Sequence, residues 1–165
     1  MIKLAIKIGV ALVFGLVAIL FVQEGVQVRE RILAAENAQS EALIAIDRVS
    51  YMLRTNDVVG RVEIAAVEDI NADGVLIRHR TAADEYDIWT YFENGQLIEV
   101  RAEPGEQPSP VEYIVIASLY DFRVTYDSVR SVISIDVSYE YNGTIRTITK
   151  MIGMRSDRGD GIIIL

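Results

Sequence analysis

The sequence predicts an α+β protein in which a long N-terminal helix, transmembrane in its first part and amphipathic in its second, packs on an antiparallel β-sheet domain. Three observations carry this expectation. Residues 2–22 form an almost unbroken apolar run, and residues 26–57 are rich in helix formers with an apolar stripe at helical spacing. Beyond Gly60, β-branched and alternating runs are separated by turn signals at short intervals. A chain of 165 residues has room for one folded domain beside such a helix. The expected organisation is a transmembrane segment at 1–25, its amphipathic continuation at 26–57, a β domain at 58–155 and a Gly-rich tail with an apolar end at 156–165.

From Ile2 to Val22 the only charged residues are Lys3 and Lys7, both near the start. Such a run, rising about 1.5 Å per residue, reaches about 31 Å, the thickness of a bilayer's hydrocarbon core. Lysines at its N-terminal side can extend to the headgroups, and the first charge after the run is Glu24, which predicts an N-in, C-out orientation. A cleaved secretion signal would need a small-x-small site, and "ILFVQEGVQV" offers none. A membrane anchor or a filament helix remains.

Past Gly25 no proline occurs before Pro104. Ala35, Gln39, Ala42, Ile46, Val49 and Leu53 follow a 4-3-4-3-4 spacing, while Glu36, Glu41, Asp47 and Arg48 fall mostly off that stripe. Ala42, Ile46, Val49 and Leu53 are therefore the positions expected to pack on the sheet. Val58 and Gly60 mark the end of the helix. One helix of about 50 residues, roughly 80 Å long, is favoured over two helices bent near Gly25, because one glycine costs a helix only about 1 kcal/mol.

In the β domain, Asn94-Gly95 and Asn142-Gly143 lie between strand-like runs and predict type I′ hairpins, and Asp73-Gly74 predicts a third, weaker turn. Six or more strands follow, in one sheet or two. Between Val132 and Tyr141 the alternation places Ile133, Ile135, Val137, Tyr139 and Tyr141 on a dry face, the natural partner of the helix stripe. "EPGEQPSP", which holds all three prolines, predicts an extended loop between two strand groups.

The composition excludes much chemistry. A net charge of −8 leaves no cationic footprint for a nucleic-acid backbone. The absence of cysteine and a single histidine, His79, exclude disulfides, thiolate zinc sites and two-histidine metal centres. Asp69, Asn71 and Asp73 fit the opening of a calcium loop, D-x-N-x-D-G, but Arg80 stands at its twelfth position, so a hairpin turn is the favoured reading. His79 reads as a surface or half-buried residue, and Asp84, Glu85 and Asp87 as an exposed acidic turn. Arg158 to Asp160 reads as a linker, and the apolar Ile162 to Leu165 as a segment that adds to a sheet edge. No nucleophile and base are paired by the sequence, which predicts a protein without enzymatic activity and, calcium aside, without a cofactor.

The stretch "AENAQSEALIAIDRVSYMLRTND", then "GVLIRHR…YDIWTYFENGQLIEVR", then "LYDFRVTYD" and "VISIDVSYEYNGTIRTITKMIGMR", resemble in order and spacing the type IV pilin-like family, above all minor pseudopilins and competence minor pilins of the J or F kind. The resemblance spans Val10 to Arg155. It implies a membrane-anchored structural subunit of a type IV pilus or a type II secretion-like pseudopilus. Its partners would be membrane lipid and other pilin-like subunits or copies of itself. Its place would be the inner or cytoplasmic membrane, with the β domain outside the cytoplasm, or an extracellular filament once polymerised. It also implies that Ile8, Val10, Leu12, Phe14, Leu16, Ile19 and Phe21 form the assembly face. Family members carry an aromatic residue and a glutamate early in the mature chain, as in "GFTLIE". Here Lys7 falls about where that glutamate belongs, which reverses the sign of its contact and points to a minor or tip position. The alternative is a non-polymerising single-pass protein whose β domain binds a ligand or partner.

Overall fold

In a computed structural model of the chain, the apolar and amphipathic runs form one element, α1 (Ile2–Thr55), of 54 residues and about 81 Å. The structure describes residues 2–58, 60–67, 72–81, 84–109 and 112–155, with the side chains of 2–13, 18, 72, 73 and 80 outside that description. Gly25 lies within the helix without interrupting it. The end of α1 is closed locally. The Asn56 amide donates to the Met52 carbonyl at 3.1 Å, its side-chain amide to the same oxygen at 2.9 Å, and the Thr55 hydroxyl to the Tyr51 carbonyl at 2.8 Å.

Eight strands follow: β1 (Val62–Val67), β2 (Ala72–Arg80), β3 (Glu85–Glu93), β4 (Gln96–Ala102), β5 (Tyr113–Ser118), β6 (Asp121–Asp127), β7 (Val132–Tyr141) and β8 (Thr144–Gly153). They form two antiparallel meanders, β1-β2-β3-β4-β5 and β6-β7-β8. The β3–β4 and β7–β8 turns carry positive φ at both central residues, 51° and 80° at Asn94-Gly95, 51° and 74° at Asn142-Gly143. This is the backbone that a two-residue turn matched to strand twist requires.

Two expectations are corrected. Asp73-Gly74 is not a turn. Both residues belong to β2 and pair with Ala66 and Ala65 of β1. Glycine suits the site because a Cβ there would meet the Thr90 carbonyl oxygen and a Val67 methyl at 3.2 Å, so close approach of backbone and side chains, not turning, sets its use. The proline-rich loop does not separate the strand groups either. It leaves β4 and returns as β5 on the same sheet, with Ala117 beside Leu97 in the core. The boundary between sheets falls at Leu119 and Tyr120, whose amides donate to Gly95 and Ser138 carbonyls at 2.8 and 2.9 Å and so tie both sheets at one corner.

The main core lies between α1 and the sheets: Ala42, Ala45, Ile46, Val49, Met52 and Leu53 meet Val75, Ile77 and Leu97 from one sheet and Ile133, Ile135 and Val137 from the other. The stripe behaves as expected except at Gln39, which stays in solvent while Ala38 is half-buried. A 3.5-residue repeat drifts around a 3.6-residue helix, and the drift turns position 39 outward. The alternation of β7 holds over most of the strand, with Ile133, Ile135, Val137 and Tyr139 buried, but Tyr141 is half-buried and Ser138, on the other face, is buried as well. A second cluster, Ala65, Val67, Leu76, Trp89, Tyr91, Ile98 and Val100, occupies the opposite face of the five-stranded sheet. Both faces of that sheet are thus dry over much of its width.

Candidate assembly surfaces

Side-chain chemistry divides α1 in two. From Ala42 to Leu53 its inner face is core. From Phe14 to Leu33 every described side chain is exposed, including Phe14 at 72%, Leu16, Ile19 and Phe21 at 70%. Of the predicted assembly residues, those four therefore share an uncovered stretch of helix, and the side chains of Lys7, Ile8, Val10 and Leu12 lie outside the described residues. Among the described residues no helix is long and apolar enough to cross a membrane. More than half of the apolar run has its side chains outside that set.

All four predicted packing residues reach the core: Ala42, Val49 and Leu53 are fully buried and Ile46 nearly so. Three of the polar residues that fall off the stripe bond the helix to the strands. The Glu41 carboxylate accepts the Ser118 amide of β5. Arg48 grips Glu99 of β4 through two bonds of 3.0 and 2.8 Å. Asp47 accepts Lys150 of β8 at 3.0 Å. The hydrogen bond to Glu99 raises the Arg48 guanidinium further above its ordinary range, against the opposing pull of burial.

At the far end of the five-stranded sheet, His79 stacks on Tyr86 with centroids 4.4 Å apart, and the Arg101 guanidinium lies 3.7 Å over the other side of that ring. Arg101 also meets Asp84 at 2.9 Å. These residues lie beside a hollow of about 600 Å³ walled by Ile88, Glu99, Arg101, Tyr113 and Ile114. A wider cleft of about 810 Å³ separates Val28, Ile32 and Ala35 of α1 from Asn142 and Gly143 of the β7–β8 turn. The helix pulls away from the domain there.

His79 is half-buried, as expected. The acidic turn is corrected in part. Asp84 and Glu85 are exposed, but Asp87 is buried at 1%, because β3 carries it onto the second dry face, where it accepts the Gly105 amide at 2.8 Å. Arg78 stands directly across from Asp87 and pairs with buried Glu63 of β1. The Trp89 indole donates to the Glu106 carbonyl at 3.2 Å, so the proline-rich loop is pinned over this face at two points. Burial pushes the Tyr91 phenol up, with Glu93 and Tyr113 adding to the shift. The sequence signal for this ionic group was faint: a carboxylate in each of two strands and an arginine between them. Of the calcium candidates, Asp69 and Asn71 lie outside the described residues, and Asp73 is described only as backbone in β2. No cluster of metal-ligating side chains occurs among the described residues.

The arrangement defines a class: one N-terminal helix packed on antiparallel sheets by its C-terminal part, with the described side chains from Phe14 to Leu33 exposed. Comparison with protein-family models, curated proteins and solved structures gives no match in any of the three.

Proposed function

We propose that this protein is a non-enzymatic structural subunit of a pilin-like filament, a type IV pilus or secretion pseudopilus, held in the membrane by the first part of α1 and placed at a minor or tip position. The observation that carries the reading is the division of α1. A helix of 54 residues, continuous through Gly25, fixes its last third in the β domain and leaves Phe14, Leu16, Ile19 and Phe21 uncovered. Uncovered apolar area of this extent needs lipid or neighbouring helices, and a rigid helix rooted in a folded domain can pass from one to the other without refolding. The sign of Lys7 supports a position other than the repeating shaft.

The test is the fate of the N-terminus. A processed N-terminus on protein recovered from sheared filaments is the expected result. Protein that keeps Met1 and never sediments with filaments would overturn the reading. It would favour the second one, a monomeric anchor whose β domain takes a ligand in the hollow beside Tyr86 and Arg101.

A further inference from the structure

We propose that β8 of one copy adds to the open edge of β5 of a second copy, so that successive copies are joined by a continuous sheet beside their helices. This rests on the filament reading and names a contact that reading leaves open.

Four strands end the two sheets: β1, β5, β6 and β8. Exposed edges in natural proteins are guarded by charge, proline or cover. Edge strand β1 carries Glu63 and is buried on both faces, and β6 carries Asp121, Arg123 and Asp127. By contrast β5, "YIVIAS", has no charged residue, and Tyr113, Ile114 at 65% and Val115 stand exposed on it in succession. Glu41 occupies only its last amide. Of all the edges, β8 is the longest, ten residues paired with β7 without a bulge, and no described strand lies on its other side; its charges, Arg146 and Lys150, guard it against a second cationic edge but not against an acidic one.

Charge makes these two edges complementary. Residues 103–112, leading into β5, hold Glu103, Glu106 and Glu112 and no cation. Residues 144–156 hold Arg146, Lys150 and Arg155 and no carboxylate, in a protein of net charge −8. Position also suits them. Glu41, which touches β5, and Asp47, which touches β8, lie about 120° apart around α1 at 100° per residue. The two edges therefore flank the helix. A neighbour displaced sideways with its helix parallel brings its β8 toward this β5.

Like edges fit worse. Antiparallel β8 with β8, centred on Ile148, sets Arg146 and Lys150 against each other. Any two-fold strand pair has its axis perpendicular to the sheet, and because α1 lies along the sheet that axis reverses the helix. Copies rooted in one bilayer cannot adopt it. The β5–β8 contact is heterologous, and such contacts propagate into open arrays.

The chain has no cysteine, so cross-linking reports single sites. Full-length Ile114→Cys or Val115→Cys protein, one for each face of β5, is mixed in phospholipid vesicles with copies carrying Ile145→Cys, Thr147→Cys, Thr149→Cys or Met151→Cys and oxidised. Leu16→Cys serves as a reporter of helix association. At least one mixture is expected to give about tenfold more disulfide dimer than either component alone, as paired strands bring Cα atoms to roughly 5.5 Å. Glu112→Lys is expected to cut that yield several-fold, and Arg146→Glu on the partner to restore it. Helix dimers without β5–β8 dimers overturn the inference and leave the filament reading standing. Absence of both overturns both, and dimers of either β5 variant formed as readily without the β8 variants overturn the inference in favour of a two-fold contact.

Discussion

The two stretches of α1 on either side of its middle invert the usual relation between apolar character and burial. Residues 14–22 contain almost nothing but large apolar side chains, and those described are exposed. Residues 41–53 mix Ala42, Ala45, Ile46, Val49 and Leu53 with Glu41, Asp47 and Arg48, and the apolar ones build the core. The difference lies in arrangement. A narrow stripe of small and medium side chains lets a helix seat closely on a sheet, while flanking charges fix its rotation. A helix that is apolar all round has no side to offer solvent and no preferred face for a single sheet. The monomer therefore covers its less apolar stretch and leaves the described part of the more apolar one exposed.

The largest expected effect sharpens that contrast. Leu53→Ala should destabilise the β domain by about 4 kcal/mol, the range for truncating a buried leucine, read as a lower denaturation midpoint by Trp89 fluorescence. Leu16→Ala removes a similar side chain from the uncovered stretch and should move that midpoint by no more than about 0.5 kcal/mol while weakening helix association in membranes. Equal losses from the two would erase the division.

Much of this division was legible in the sequence, because the apolar stripe and the Asn-Gly turns are local signals. Asn94-Gly95 and Asn142-Gly143 turn because the backbone between two paired strands has few ways to reverse. Asp73-Gly74 failed for the complementary reason: the ladder with Ala65 and Ala66 continues through it, and pairing overrides turn preference. The burial of Glu63 and Asp87 beside half-buried Arg78 was not legible. Alternation distinguishes two faces of a strand but not which is wet, and here a loop anchored through Glu106 and Gly105 dries the second face. The separation of the sheets at Leu119 depends on long-range contacts that leave no turn residue behind.

The ionic clamps rank next. Arg48 meets Glu99 with two bonds, and Glu99 is only 13% exposed, so Arg48→Ala leaves a half-buried carboxylate without its partner. A loss of about 1.5 kcal/mol is expected, smaller than for a fully buried pair because Arg48 itself is partly solvated. The Lys150–Asp47 contact exposes most of its carboxylate to water, and Lys150→Ala should cost up to about 1 kcal/mol. That smaller loss should vanish in molar salt while most of the Arg48 effect persists, as urea midpoints at two ionic strengths would show. If both losses vanish alike, the helix is seated by its apolar stripe alone.

The smallest effect concerns the boundary between the stretches. Gly25 lies inside α1, its φ is not left-handed, and nothing stands within 4 Å of the place a Cβ would take. Gly25→Ala should therefore fit without strain and stabilise the helix locally by about 0.5 kcal/mol, chiefly by narrowing the unfolded chain's freedom. Hydrogen exchange of the full chain in detergent is the measurement, since opening near residue 25 is local and leaves the β domain folded. Amides around residue 25 should slow about twofold while those around Leu53 keep their rates. A twofold slowing with filament incorporation unchanged means that α1 acts as the continuous rod on which the filament reading depends. Slowing accompanied by lost incorporation means that the glycine supplies a bend during assembly, and the division of α1 is then a working joint between its two stretches.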